Sequence, residues 1–175
     1  TYKGKICGVV VNEKLNITYL KIEDFTEIKG FENIKSLKEL DLRGNALTNL
    51  PESISKFNLE KLYLSNNALK TIPDFIFSIE SLKLLDVSEN LLTSIPDLIE
   101  KLKSLEFLYL NYNKIESLSE SIGNLESLQI LDISENLLKI LPNLNIFKSL
   151  SSLYLGYNRL KDLPEALGHI ETLRD

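Results

Sequence analysis

Side chains able to do chemistry are few in this chain, and their spacing assembles no catalytic site. Among 175 residues there is one histidine, His169, and one cysteine, Cys7. A lone cysteine closes no internal disulfide and supplies no multi-cysteine zinc site. His169, in Leu167-Gly168-His169-Ile170, falls where a solvent-facing loop residue is expected rather than a general base. No phosphate-cradling loop occurs, since Gly4-Lys5 lacks both the leading glycine and the hydroxyl such a loop needs. The remaining candidates are carboxylates. Asp86 and Asp132 recur in near-identical phrases, LLDVSENLL and ILDISENLL, and paired acids cleave glycosidic bonds by inversion when roughly 6.5 to 9.5 Å apart.

A repeat positions these acids. All five prolines follow an aliphatic residue, in Leu50-Pro51, Ile72-Pro73, Ile95-Pro96, Leu141-Pro142 and Leu163-Pro164. The template L-x-x-L-x-L-x-x-N-x-L fits from Leu37, Leu59, Leu82, Leu105, Leu128 and Leu150, in steps of 22, 23, 23, 23 and 22 residues. Each unit carries its asparagine: Asn45, Asn67, Asn90, Asn113, Asn136 and Asn158. Alternation along a strand turns Leu108 and Leu110 inward and Phe107 and Tyr109 outward, so stacked units bury one leucine face. The asparagine can satisfy backbone groups where the chain bends away from the strand. The segment between one strand and the next has room only for a loop and a short helical or 3₁₀ turn such as Pro51-Glu52-Ser53-Ile54, whose Ile54 closes the outer side of the core.

The pattern resembles the leucine-rich repeat family over the chain from about Ile17 to its end. The phrases LTNLPESI, LKTIPDFI and LKDLPEAL look like the intracellular repeats often called the Ras group. The resemblance implies an α/β solenoid of horseshoe form, with a parallel concave sheet and short helical or 3₁₀ turns on the convex side. It also implies protein recognition, with a small GTPase or its regulator as the leading partner class. Two units depart from the pattern: Ser119 stands where proline is expected, and Asn145 where neighbouring units place isoleucine. Both are expected to alter the convex loop and spare the strand.

The regular array occupies residues 37–172 of a single domain spanning 1–175. Within 1–36, Ile17-Thr18-Tyr19-Leu20-Lys21-Ile22 keeps the strand spacing with Phe25 in the asparagine position. Ahead of it, Lys5 to Val11 is rich in β-branched residues and joins it through a turn-like Asn12 to Asn16, so an antiparallel hairpin capping the array is predicted. Residues 173–175 open a seventh unit, from which the expectation is that the array continues past Asp175, joined to a GTPase, kinase or other signalling module as in the resembled family.

Outward positions form columns across the predicted sheet. The first reads Tyr19, Glu39, Lys61, Leu84, Phe107, Ile130, Ser152, and the second Lys21, Asp41, Tyr63, Asp86, Tyr109, Asp132, Tyr154. The third reads Glu23, Arg43, Ser65, Ser88, Asn111, Ser134, Gly156, and the fourth Asp24, Gly44, Asn66, Glu89, Tyr112, Glu135, Tyr157. Six of the seven tyrosines lie in these columns, together with eight acidic and three basic side chains. Asp86 and Asp132 share a column two rungs apart, about 10 Å at the usual strand spacing, too far to share a proton. No insertion interrupts the repeats to build a cleft around them. No catalytic, cofactor-binding or metal-binding residue is assigned, and no enzymatic activity is expected.

Tyrosine and acid around the apolar trio Leu84, Phe107 and Ile130 have the composition of a protein-binding surface. The predicted site comprises Tyr63, Leu84, Asp86, Glu89, Phe107, Tyr109, Tyr112, Ile130, Asp132, Glu135, Tyr154 and Tyr157, and the predicted partner is a protein or peptide with a basic and partly apolar surface. The net charge of −5, from 20 basic and 25 acidic residues, opposes duplex nucleic acid and anionic membranes as partners. The apolar run at Cys7 to Val11 is far too short for a signal-peptide core or a membrane span. Asn16-Ile17-Thr18 matches a glycosylation sequon, a triplet that arises by chance. The sequence reads as a monomeric, cytoplasmic scaffold or signalling module, with two alternatives: the regulatory arm of a larger GTPase or kinase, or an array that self-associates through its open end at Leu173.

Overall fold

Each repeat contributes one short strand to a single open sheet. The structure is a computed structural model that describes residues 3–11, 17–27, 36–142, 147–163 and 172–174, and of the side chains in the first two strands it describes Lys21. The strands are β1 (Lys3–Val11), β2 (Ile17–Glu27), β3 (Glu39–Asp41), β4 (Lys61–Tyr63), β5 (Leu84–Asp86), β6 (Phe107–Tyr109), β7 (Ile130–Asp132) and β8 (Ser152–Tyr154), ordered across the sheet as along the chain. The expected antiparallel pairing of the first two strands is observed, with Val9 of β1 opposite Leu20 of β2, while the connecting residues 12–16 lie outside the described residues. Every later pair is parallel and keeps one register, so Leu62, Leu85, Leu108 and Leu131 are successive neighbours. Parallel neighbours need a crossover of a dozen residues or more, which a repeat of 22 or 23 residues supplies.

The inward leucine positions make the core. Leu40, Leu42, Leu62, Leu64, Leu85, Val87, Leu108, Leu110, Leu131 and Ile133 are all buried. The opposite wall comes from 3₁₀ turns at Glu52–Lys56, Asp74–Ser78, Asp97–Lys101 and Glu120–Asn124, which bury Ile54, Ile76, Ile99 and Ile122. Pro51, Pro73 and Pro96 start the first three turns in extended conformation, at φ −74°, −61° and −62°. Proline fits there because its ring fixes φ in that range.

Ser119 does not change the convex turn, contrary to expectation. The turn it starts is five residues long like its neighbours, and Ser119 adopts φ −74°, the value of Pro51. Its hydroxyl oxygen accepts from Ser121 N at 3.2 Å, so a side-chain cap replaces the pyrrolidine ring as the local constraint. Asn145, Pro164 and His169 lie outside the described residues.

The asparagines knit successive repeats together as predicted. Asn90 Nδ2 donates to Leu64 O at 2.9 Å in the preceding repeat and to Val87 O at 3.2 Å in its own, while its Oδ1 accepts from Leu69 N at 3.0 Å. Asn113 and Asn136 repeat the arrangement one and two units on. A second ladder was not read from the sequence. The hydroxyls of Ser81 and Thr172, each just before a template leucine, donate to Leu59 O and Leu150 O at 2.6 Å, one repeat back. Ser127 and Ser149, also just before template leucines, donate instead to Lys103 O at 2.7 Å and Glu126 O at 2.9 Å, again one repeat back.

At the far end, Arg174 N donates to Ser151 O at 2.9 Å, carrying the ladder into the seventh unit, and Leu173 packs against the core. No helix among the described residues is long and apolar enough to cross a membrane.

Candidate functional site

The parallel register sets the outward columns. Glu39, Lys61, Leu84, Phe107, Ile130 and Ser152 are successive neighbours in the first column, and Asp41, Tyr63, Asp86, Tyr109, Asp132 and Tyr154 in the second. Leu84, Phe107 and Ile130 are half-buried side by side, an apolar strip bordered by the half-buried Asp86, Tyr109 and Asp132. Ser152 ends the first column buried.

From β3 onward the third and fourth columns lie beyond the strands, which corrects the reading of four outward positions per strand. Each strand from β3 to β8 has three residues, and the chain then turns through a left-handed residue: Gly44 (φ 69°), Asn66 (56°), Glu89 (51°), Tyr112 (54°), Glu135 (53°) and Tyr157 (54°). Side chains adopt this conformation uncommonly, with Asn enriched there. Backbone bonds between rungs hold it in place, Glu89 N donating to Asn111 O at 2.9 Å and Tyr112 N to Ser134 O at 3.2 Å. The turn lifts its side chains to the rim, where Tyr112 is 55% and Tyr157 82% exposed. Glu89 is also exposed and Glu135 half-buried.

Charge is distributed differently from the sequence count. Asp41, counted there among the outward acids, is wholly buried. Arg43 covers it, donating Nε to Oδ1 at 2.9 Å and an Nη to Oδ2 at 2.7 Å, and the same guanidinium lies 5.0 Å from the ring centroid of Tyr63 on the next rung. Burial alone would raise the Asp41 carboxyl, but hydrogen bonds from the Arg43 side chain and backbone and its positive charge hold it below the usual range. Glu39 pairs with Lys61 at 3.3 Å. On the flank beside the strands, Glu60 pairs with both Lys38 at 3.3 Å and Lys83 at 3.0 Å, contacts that lower its carboxyl. Glu116 with Lys139 and Glu126 with Lys148 also pair across rungs.

The centre and C-terminal half of the concave face lack such partners. Among the described residues no basic side chain forms an ion pair with Asp86, Glu89, Asp132 or Glu135. Asp86 Oδ1 accepts from Ser88 N at 3.1 Å and Ser88 Oγ at 2.6 Å, and Asp132 Oδ1 accepts from Ser134 N and Oγ at 3.0 and 2.7 Å. These bonds fix each carboxylate's direction without neutralising it. Tyr109 stands between the two acids, and its hydroxyl is pushed above the usual tyrosine value, first by burial and then by the charges of Asp86 and Asp132.

The structure thus brings Leu84, Asp86, Phe107, Tyr109, Ile130 and Asp132 into one contiguous patch, with Tyr63 on the next rung toward the N-terminus and Tyr154 on the next rung toward the C-terminus. Glu89, Tyr112, Glu135 and Tyr157 border it on the turn. No group of three or more metal-ligating side chains occurs among the described residues.

Comparison with known proteins bears on this geometry. Residues 13–69 and 57–115 match a family model described as Leucine rich repeat, and residues 149–170 match a second model of that description. The volume-regulated anion channel subunit LRRC8D of Rattus norvegicus is 36% identical over 69 residues, covering 39% of this chain and 8% of that protein. Among solved structures, a TDR receptor superposes with a TM-score of 0.72 at 32% identity, over 82% of this chain and 26% of the receptor. The Arabidopsis receptor kinase HAESA, solved in complex with the peptide hormone IDA and the co-receptor SERK1, gives 0.71 at 32% identity over the same shares. The chain therefore spans only a minor part of each of these relatives.

Proposed function

Because the chain belongs to the leucine-rich repeat family, we propose that it is a recognition module whose concave face binds a protein or peptide with a basic and partly apolar surface. One observation carries this reading: Asp86, Glu89, Asp132 and Glu135, in the second column and on the turn beside the strip Leu84, Phe107 and Ile130, have no basic partner among the described residues, while several flank acids are paired across rungs. Unpaired acids beside a half-buried apolar and aromatic centre match a basic ligand with an apolar anchor. Half-buried Phe107 and Tyr109 are the expected anchors, with Tyr63, Tyr112, Tyr154 and Tyr157 toward the edge. We place the 1–175 unit in cytoplasmic signalling as a monomer, with a small GTPase or its regulator as the partner class suggested by the family resemblance.

A second reading is supported by the length of the relatives. A chain that spans 26% of a receptor kinase and 8% of a channel subunit also suits the recognition arm of a larger protein whose other parts act.

The test is selection of peptides from a random display library against the chain, followed by affinity measurement on variants. Phe107→Ala and Tyr109→Ala are each expected to weaken selected ligands by about 2 kcal/mol, roughly thirtyfold. Convex Glu100→Ala and Lys101→Ala are expected to change nothing. Loss of binding in the convex pair with silence in the concave pair would move the site to the loops after the prolines.

A further inference from the structure

Among the described residues, one filled copy of a side-chain arrangement recurs twice unfilled. In the filled copy, Asp41 on β3 and its register neighbour Tyr63 on β4 hold the guanidinium of Arg43, the carboxylate by hydrogen bonds to both oxygens and the ring by stacking at 5.0 Å. The same pair recurs as Asp86 with Tyr109, on β5 and β6, and as Asp132 with Tyr154, on β7 and β8. In both recurrences the residue equivalent to Arg43 is a serine, Ser88 or Ser134. The backbone bond survives the change: Arg43 N, Ser88 N and Ser134 N all donate to the Oδ1 of the acid two residues earlier, at 3.1, 3.1 and 3.0 Å. The serine hydroxyl also donates to Oδ1, in place of Arg43 Nε. The Oδ2 atoms of Asp86 and Asp132 then accept no hydrogen bond among the described residues. Exposure follows, since Asp41 beneath Arg43 is wholly buried while Asp86 and Asp132 are only half-buried.

Resting on the reading of the concave face as a binding surface, we infer that Asp86 with Tyr109 and Asp132 with Tyr154 are two arginine seats for a partner peptide. Each would take the guanidinium end-on at Oδ2 and flat against the tyrosine ring, repeating in trans what Arg43 does in cis. Arginine is favoured over lysine because its planar fork can hydrogen-bond a carboxylate with its edge while its face lies flat on a ring, a geometry that a compact ammonium lacks. The seats lie two rungs apart, about 10 Å. An extended polyproline-type peptide places residues i and i+3 on one face about 9.3 Å apart. The ligand is therefore a peptide with the spacing Arg-x-x-Arg in extended form, lying across the strands of β5 to β8.

The experiment measures fluorescence anisotropy of the chain with two fluorescein-labelled peptides, GRPPRG and GKPPKG. GRPPRG is expected to bind about tenfold more tightly than GKPPKG, and Asp86→Asn and Asp132→Asn are each expected to weaken it about tenfold while keeping an oxygen for the serine bonds. Ser88→Arg combined with Ser134→Arg, which fills both seats from within, is expected to abolish binding, with circular dichroism and the urea midpoint confirming the fold. Equal affinity for the two peptides, lost in Asp86→Asn, overturns arginine seats and leaves a cation-binding face standing. Absence of GRPPRG binding, or binding unchanged in both Asp→Asn variants, also overturns the seats. The broader reading then stands or falls separately, on whether library-selected ligands lose affinity in Phe107→Ala.

Discussion

Phe107 and Leu108 are chain neighbours on one strand that face opposite environments. Leu108 is wholly buried in the leucine core, whereas Phe107 is half-buried on the outer face between Leu84 and Ile130. Adjacent residues of a strand point to opposite sides, so a slip of one residue would exchange their roles.

Truncating the two therefore has unequal costs. Leu108→Ala is expected to destabilise by roughly 2 to 5 kcal/mol through lost burial and a residual cavity. Phe107→Ala is expected to cost about 1 kcal/mol or less, the scale of cross-strand side-chain pairs on an open face. Urea denaturation reads both, and equal losses would mean that the register is off by one residue.

Asn90 serves the backbone of two repeats, bonding Leu64 O, Val87 O and the N–H of Leu69. In Asn90→Ala these buried groups lose their partner, at an expected cost of roughly 1 to 3 kcal/mol. Amide exchange at Leu69 is expected to accelerate beyond the change in global stability. Unchanged protection at Leu69 would mean that water replaces the side chain.

Asp41 makes stability depend on acid. Its carboxyl is held below the usual range in the folded chain, so the stabilisation is present above the unfolded value of about 3.9 and is lost as pH falls through the lower folded value. Arg43→Ala removes the guanidinium's hydrogen bonds and charge and leaves the buried carboxylate with the backbone N–H of residue 43 and the charge of Lys21. The variant is expected to be less stable than the parent by roughly 1 to 3 kcal/mol at pH 7, a figure held down by the half-exposed guanidinium. The gap is expected to close below about pH 4 as Asp41 takes up a proton in the variant. A gap independent of pH would assign the effect to packing of the Arg43 stem on Tyr63.

Salt dependence tests the unpaired acids. A basic peptide selected against the chain is expected to associate faster as ionic strength falls, because exposed charges on the concave face attract it over a Debye length. Asp86→Lys with Asp132→Lys is expected to reverse the slope. Stopped-flow association rates indifferent to salt would show that these acids serve solubility only.

The period of the template, the inward leucines, the outward columns and the role of the asparagines were legible in the amino-acid sequence, because each follows from local geometry repeated with constant spacing. Alternation along a strand sorts Leu108 from Phe107, and six in-phase units leave one register that turns the template leucines toward the core. Other features needed the tertiary structure. The sequence counts Asp41 and Asp86 as equivalent acids, yet one is sealed under a guanidinium stacked on the next rung and the other keeps an oxygen free. Glu89 and Tyr112 continue an outward column by spacing, but a left-handed turn carries them from the sheet to its rim. The hydroxyl of Ser81 reaches a carbonyl 22 residues back. Spacing along the chain fixes which face a residue occupies, whereas side-chain direction, burial and the neighbour on the next rung are set only when the repeats stack.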